Sequence, residues 1–166
     1  PAGKLLGFIV SGRGIEANPA KIRALSQLDI PKDLKQIQKL TGCVAALSHF
    51  ISRLGEKALP LYRLLRCTEQ FEWTDAATAG LNEIKAILAT NLVLAVPNIG
   101  EPILLYIAAT HQVVSAVLVI ERETDEHKFP LQKPVYYVST VLTPCKSWYP
   151  HYQKIAYAVF MASRKL

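Results

Sequence analysis

Carboxylates are the side chains in this sequence that could support metal-dependent chemistry, because divalent ions need several such ligands around one point. The densest acidic run lies in residues 121–128. We interpret it as the solvated tip of a hairpin, since adjacent surface charges are usually only hydrated. No two aspartates are adjacent in the chain, and no nucleophile paired with a base is evident. A rearranged active site is therefore the least favoured reading of the sequence.

The cysteines give no sign of a metal or disulfide site. Cys43, Cys67 and Cys145 lie far apart and form no Cys-x-x-Cys pair. Zinc knuckles need closely spaced cysteines, and disulfide frameworks need more of them. We therefore expect free thiols, as is usual inside cells.

Positive charge is concentrated in the first part of the chain. Residues 1–66 hold eleven Lys and Arg against four Asp and Glu, a net charge of +7, whereas the remainder is close to neutral. A basic segment of this kind predicts that a polyanion is bound mainly by the first part. A lysine-rich helical surface that is merely solvated explains the charge equally well.

The elements that must position these residues begin with helices. Asn18-Pro19 predicts a helix start, with Asn as the cap, and Pro31 predicts its end. From Asp33 to Leu54, apolar residues recur at steps of three or four, which predicts one long amphipathic helix ended by Gly55. Further helices are expected through residues 59–65 and from Thr74-Asp75 onwards.

Strands follow the helices. The β-branched and aromatic runs 92–96, 103–107, 113–120 and 134–139 predict a sheet of about four strands. Residues 5–11 predict one arm of a hairpin whose partner lies before Pro1. A last helix is predicted over residues 149–166 and packs on the sheet, with four apolar residues at helical spacing: Tyr152, Ala156, Val159 and Phe160.

The fold class predicted from this order is α+β: a helical part, then a mixed sheet with a packed terminal helix. The apolar runs are too short to cross a bilayer, and no signal peptide is evident. We therefore expect an intracellular protein, cytoplasmic or nuclear, with no membrane partner. The boundary between the two parts is expected between Arg66 and Pro102.

The sequence motifs resemble those of one family in order along essentially the whole chain. Residues 6–11 (Leu-Gly-Phe-Ile-Val-Ser) and 18–21 (Asn-Pro-Ala-Lys) resemble the end of the palm, with its primer grip, in Gypsy-type reverse transcriptases of LTR retrotransposons. Residues 37–42 (Ile-Gln-Lys-Leu-Thr-Gly) resemble their thumb. Residues 71–74 (Phe-Glu-Trp-Thr) resemble the join to RNase H, and residues 134–139 (Pro-Val-Tyr-Tyr-Val-Ser) resemble the third RNase H strand. The motifs are similar to those of plant Gypsy-type polyproteins.

This resemblance implies a domain order and a binding surface. It implies a palm end in residues 1–17, a thumb in 18–70, a linking helix and strand in 71–101, and a degenerate, C-terminally incomplete RNase H-like (connection) domain in 102–166. It also implies primer-grip-like residues and duplex-binding residues. The former are Leu6, Gly7 and Phe8; the latter are Gln38, Lys39, Gly42 and Ala46, with Lys35, Arg53, Lys57 and Arg63 available to phosphates.

Gly42 is the most informative of these positions. Glycine in mid-helix costs about 1 kcal/mol relative to alanine, so something should compensate. Close approach of nucleic acid is one explanation, and close packing of another helix is the other. Cys43 stands where the family resemblance suggests a basic residue.

The same resemblance indicates that nuclease chemistry has been lost. In active members, an aspartate in the first RNase H strand and a glutamate on the following helix bind the metal ions. Ala108 and Ile155 occupy those positions here. His111 and His151 lie near this region but lack a ligand cluster. We therefore expect no catalytic residues, no Mg²⁺ or other cofactor, and no RNase H activity from this chain.

Two functions remain open from the sequence. The first is a non-catalytic part of a Pol polyprotein that supports binding of an RNA–DNA or DNA duplex, with the rest of the polyprotein as a partner. The second is a retrotransposon-derived host protein that uses the same fold to bind another protein through exposed apolar surface.

Overall fold

The computed structural model describes residues 2–5, 7–66, 71–90, 93–123 and 129–165. Cys67 and most of the acidic run 121–128 lie outside them. The elements, in chain order, are β1 (Gly3–Leu5), β2 (Phe8–Ser11), β3 (Gly14–Ala17), α1 (Pro19–Ser26), α2 (Leu34–Ala45), a 3-10 turn (Ser48–Phe50), α3 (Leu54–Lys57), α4 (Leu59–Leu64), α5 (Asp75–Ala89), β4 (Val93–Leu94), β5 (Leu104–Ala109), β6 (Val113–Arg122), β7 (Leu131–Val141), α6 (Pro144–Ser147) and α7 (His151–Lys165). The fold is α+β, as predicted.

The N-terminal strands form hairpins within the chain. β2 pairs with β1 on one side and with β3 on the other, both antiparallel. The expectation that the hairpin partner lies before Pro1 is therefore wrong. A two-residue turn at Gly12-Arg13 is short enough to fold β3 directly back onto β2.

Side-chain caps begin three helices where the sequence predicted starts. Asn18 Oδ1 accepts a hydrogen bond from the Ala20 amide (3.0 Å), and Asp33 Oδ1 accepts one from the Gln36 amide (2.8 Å). Thr74 caps α5 through a bond from the Ala77 amide (3.2 Å). Each bond satisfies an amide that has no partner inside its helix. The first helix, however, ends at Ser26, before Pro31.

The long helix predicted from Asp33 to Leu54 is broken. α2 ends at Ala45, a 3-10 turn follows, and Arg53 adopts a left-handed conformation (φ 52°) before α3 begins. Gly55 lies inside α3 and does not end a helix. Apolar residues from the whole stretch nevertheless share one buried core, which includes Ile37, Val44 and Phe50.

The prediction of a four-stranded sheet is also wrong for one of its strands. β5, β6 and β7 form an antiparallel three-stranded sheet. β4 pairs instead with β3, through Ile15 opposite Leu94 and Glu16 opposite Val93. One backbone hydrogen bond, from the Ala95 amide to the Pro134 carbonyl (2.8 Å), ties the end of this segment to β7.

The last helix packs on the three-stranded sheet by an unexpected face. Its buried residues are Lys154, Ala158 and Ala162. The apolar stripe of Tyr152, Ala156, Val159 and Phe160, which the spacing suggested as the packing face, is exposed. Small alanines allow the helix to approach the sheet closely, and this leaves the larger side chains outside. No helix in the described residues is long and apolar enough to cross a bilayer.

Candidate nucleic-acid interface

A groove of about 320 Å³ runs between α1 and α2 on the surface of the helical part. We call it the α1–α2 groove. Four of the residues predicted to bind nucleic acid lie together in it, all from α2 and its C-cap. Its lining residues are Gln38, Lys39, Gly42, Cys43 and Ala46, with Lys21 and Ala24 from α1.

Gly42 opens this groove. A Cβ atom built on Gly42 would have no described heavy atom within 4 Å, apart from its own helix and neighbours. The opposite face of α2 is buried in the core through Ile37, Leu40 and Val44. Close packing of a helix from the described residues therefore does not account for Gly42. The explanation that remains from the sequence is an external group that approaches the helix backbone.

Lys21 connects the groove to the N-terminal hairpin. Its Nζ atom lies 5.3 Å from the centroid of the Phe8 ring, a distance at which a cation is attracted to an aromatic face. A Cβ atom on Gly7 would lie 2.8 Å from the same Nζ atom. The primer-grip-like residues Gly7 and Phe8 are therefore neighbours of the groove, and Leu6 lies outside the described residues.

The hairpin itself is fixed to the helical core. The Phe8 ring lies 5.8 Å from the ring of Phe50, which is completely buried. Gly7 has a φ of 84°, which favours glycine in the turn between β1 and β2. The Phe8–Phe50 contact therefore holds the hairpin, against which the Lys21 side chain lies, on the helical core.

The other predicted phosphate-binding residues are dispersed. Lys35 is exposed on α2 but does not line the groove. Arg53 forms a bidentate ion pair with Glu56, which raises the pKa of the arginine. The Lys57 ammonium donates to the Ser52 carbonyl (3.0 Å).

The Arg63 side chain already makes a hydrogen bond to the segment between β5 and β6. Its guanidinium donates to Gln112 Oε1 at 2.8 Å. The structure therefore gathers the α2 residues into one site but does not bring Arg53, Lys57 or Arg63 to it.

The sheet docks on the helical part at Gly55. The Gly55 amide donates to Ser139 Oγ (2.9 Å), and Ser139 shares a second hydrogen bond with Ser115 (2.8 Å). A Cβ atom on Gly55 would lie 2.7 Å from Val113 Cγ1 and 2.8 Å from Ser139 Oγ. Any larger residue would force the Val113 or Ser139 side chain to shift.

An aromatic contact lies at the same junction. The His49 and Tyr136 rings stack with centroids 4.6 Å apart. Burial, and secondarily the positive charge of Lys165, lower the pKa of His49 below its ordinary value of 6.5. The folded protein therefore favours the neutral imidazole at this contact.

Ala108, which the resemblance matches to the first carboxylate position, borders a cavity of about 240 Å³ between the sheet and the segment before α3. Ala108 lies on β5 opposite Ser115 of β6. The cavity wall also includes Arg53, Tyr106 and Tyr137. Because neighbouring strand residues face opposite sides, Ile107 and Ala109 point the other way, towards α7.

Ile155, which the resemblance matches to the second carboxylate position, does not line this cavity. Ile155 is partly buried on α7, which packs on the other face of the sheet. The adjacent Lys154 is buried and donates to the His111 carbonyl (3.1 Å), while the side chains of His111 and His151 are exposed. Within the described ranges, no three His, Cys, Asp or Glu residues are close enough to hold a metal ion.

Sequence reasoning missed two residues of the groove wall, Lys21 and Ala24. Both belong to α1, and their exposure to the groove depends on how α1 crosses α2. The resemblance did place Lys21 in a family motif, but it assigned no role to the residue. The spacing from Lys21 to Ala24 was the available signal, because residues three apart share a helix face.

Comparison with known proteins identifies the second part of the chain. Residues 73–166 match the family model described as the RNase H-like domain found in reverse transcriptase. The retrovirus-related Pol polyprotein from transposon opus of Drosophila melanogaster is 26% identical over 167 aligned residues, which cover 94% of this chain but only 16% of that polyprotein. An uncharacterized mitochondrial protein of Arabidopsis thaliana is 30% identical over 94 residues, covering 57% of this chain and 59% of that protein.

A solved structure has the same fold. The foamy viral protease-reverse transcriptase, in a complex with an RNA/DNA hybrid, superposes with a TM-score of 0.80. The match covers 99% of this chain and 22% of the viral protein, at 21% identity. The likeness extends through both the helical part and the sheet.

Proposed function

Because this chain belongs to the family of RNase H-like domains found in reverse transcriptases, we propose that it is a non-catalytic segment that supports primer–template binding. The expected ligand is an RNA–DNA or DNA duplex. The α1–α2 groove, next to the Gly7–Phe8 hairpin, is the surface that binds it. The helical residues act as a thumb in this proposal, and the RNase H-like part acts as a connection domain.

The observation that carries the proposal is the open space at Gly42. Gly42 lies in the last turn of α2, where glycine costs the helix up to about 1 kcal/mol relative to alanine. No described neighbour fills the space, so packing within the chain does not offset that cost. A nucleic-acid backbone lying along α2 would use the space that a side chain would fill.

Charge supports the same ligand. Lys39 and Lys21 stand on opposite walls of the groove, within a segment of net charge +7. Phosphates bound by such residues release condensed counterions, which makes the affinity fall as salt is added. The foamy viral relative of this fold was solved with an RNA/DNA hybrid, which is consistent with a duplex ligand here.

We propose that the RNase H-like part binds no Mg²⁺ and cleaves nothing. Two-metal cleavage needs converging carboxylates. The resemblance matches two of those positions to Ala108 and Ile155, which carry no carboxylate and lie towards opposite faces of the sheet, so these two positions do not converge. We also propose a Gypsy-type, plant-like element as the source, with the remainder of its Pol polyprotein as a partner. The motif resemblance and the Arabidopsis relative support this assignment.

The test is fluorescence anisotropy of a labelled RNA–DNA hybrid, titrated with the chain over a salt series in the presence of Mg²⁺. The products are then separated on a gel. We expect binding that weakens steeply with salt, and an intact hybrid. No binding at low salt would refute the duplex proposal, and metal-dependent cleavage would refute the loss of nuclease activity.

A substitution in the groove makes this test specific. Gly42→Leu should weaken hybrid binding about fivefold or more, since overpacking costs about 1–3 kcal/mol and each 1.4 kcal/mol is tenfold. Ala45→Leu is the matched control, because Ala45 is exposed on the same helix but does not line the groove. Equal affinities for the two variants would argue against the groove.

A second candidate function is protein binding by a retrotransposon-derived host protein. The observation that favours it is the exposed apolar surface of α7, where Tyr152 is 70% and Phe160 51% exposed, beside Trp148 at 82%. A protein complex at this surface should persist as salt rises from about 50 to 200 mM, unlike a phosphate-dependent complex. It should be lost in Phe160→Asp, and an unchanged complex in that variant would exclude this surface.

A further inference from the structure

Lys21 is the residue that physically joins the hairpin to the groove. It lies on α1, lines the α1–α2 groove, and carries its ammonium at 5.3 Å from the Phe8 ring centroid. The turn residue Gly7 is so close that a Cβ there would lie 3.3 Å from Lys21 Cε and nearer still to Nζ. A nucleic-acid strand that leaves the groove towards the hairpin would therefore pass this ammonium.

The chain leaves the Lys21 ammonium free of carboxylates in the described residues. The ion pairs there are Arg13–Glu16, Arg53–Glu56 and Arg122–Glu101. Contact with an aromatic face holds a cation in place but does not neutralise it, and the ammonium keeps N–H groups to donate.

The rest of the groove has little charge of its own. Apart from Lys21 and Lys39, its lining side chains are uncharged, and several are small. One of these lysines comes from α1 and the other from α2, and the open space at Gly42 lies on the α2 side. A polyanionic strand in the groove would find one ammonium on each wall.

We propose that Lys21 binds a backbone phosphate of the strand that runs from the α1–α2 groove to the Gly7–Phe8 hairpin. Lys21 thereby joins the groove and the hairpin into one continuous phosphate-binding surface. This inference rests on the proposed function, since it assigns a contact within the same duplex site. Phe8 and the absent side chain of Gly7 position the ammonium for that contact.

The experiment compares three variants of the whole chain on the same labelled RNA–DNA hybrid over a salt series. Lys21→Gln removes the charge, and Lys21→Arg restores a cation at the same position. Arg23→Gln removes one charge from the same helix, but Arg23 lies on another face, by Ala17 and Leu88. Thermal unfolding of each variant establishes that it is folded.

We expect Lys21→Gln to reduce the slope of log affinity against log salt by about 1. Its affinity deficit should therefore shrink about three- to fourfold between 50 and 200 mM salt. Lys21→Arg should recover most of the slope, and Arg23→Gln should keep it. If the net charge of the chain alone set the salt dependence, Lys21→Gln and Arg23→Gln would reduce the slope equally. That result would overturn the assignment.

The outcomes separate this inference from the proposal it depends on. If Lys21→Gln retains the wild-type slope while Gly42→Leu loses binding, the groove binds the duplex but Lys21 does not contact it. If the wild-type chain fails to bind the hybrid at low salt, both are refuted.

Discussion

Two glycines in neighbouring helices show how differently the two faces of the helical part are used. At Gly42 a Cβ atom would enter open space, whereas at Gly55 it would press on Val113 and Ser139 of the sheet domain. The face with Gly55 is occupied by the chain itself. On the face with Gly42, no described residue fills the space beside the glycine.

The difference teaches that the same residue type can serve the fold or a ligand. Gly55 allows two parts of one chain to approach, and its cost is offset by contacts within the molecule. Gly42 has no such compensation in the described residues, and the proposed duplex ligand would supply it. Substitutions at four residues test this contrast and the junction beside it, beginning with the largest expected change in stability.

Gly55→Ala should destabilise the protein by about 1–3 kcal/mol, because the new methyl group overpacks against Val113 and Ser139. Denaturant unfolding measures the change. Gly42→Ala serves as the control, since it adds the same methyl group to open space. A Gly55→Ala protein as stable as the wild type would show that the junction can separate at little cost.

Ser139→Ala should cost about 1–2 kcal/mol, because it leaves the Gly55 amide without its acceptor at a partly buried junction. The same unfolding experiment applies. Ser139→Thr keeps the hydroxyl group and should retain more of the stability than alanine does. If alanine and threonine behave alike, the hydrogen bond does not hold the junction.

Gly42→Ala should have the opposite sign and raise stability by up to about 1 kcal/mol, since alanine is the better helix former. Hybrid affinity should fall in the same variant, because the methyl group enters the α1–α2 groove. Unfolding and anisotropy are measured on one preparation. A gain in stability without loss of affinity would separate Gly42 from binding.

The His49–Tyr136 contact should give the smallest effect, visible as a pH dependence. Because the folded state lowers the pKa of His49, the folded state binds the proton less readily than the unfolded state does. This contribution to stability is present above about pH 6.5 and is lost as the pH falls below it. His49→Phe, which keeps an aromatic ring, should lose less stability than the wild type between pH 8 and pH 5. Equal losses would contradict this assignment.

Local signals predicted the helix starts well. Asn18, Asp33 and Thr74 cap their helices through hydrogen bonds to amides two or three residues on, so the neighbouring sequence is sufficient. The α2 stripe from Gln38 to Ala46 was predictable for a similar reason, since helical spacing places these residues on one face. The resemblance supplied their candidate role.

Features that depend on distant contacts could not be predicted in the same way. The role of Gly55 depends on β7, and Arg63 meets Gln112 across 49 residues of sequence. For α7, large apolar residues suggested the packing face, but close approach selected the face with small alanines and a buried Lys154. Lys154 finds its acceptor at His111, which no local pattern indicates.

The pairing of β3 with β4 also has a consequence for the order of folding. Residues 14–17 must wait for residues 93–94 before their sheet is complete, and contacts so distant in sequence form slowly. Gly14 makes the pairing possible, since a Cβ there would overlap the Leu94 carbonyl oxygen. During synthesis, the outer edge of β3 is exposed until the ribosome has passed the linking helix. An exposed edge is a template for pairing with other chains. For a growing chain, we therefore expect the greatest risk of such pairing after α1 to α4 emerge and before β4 does.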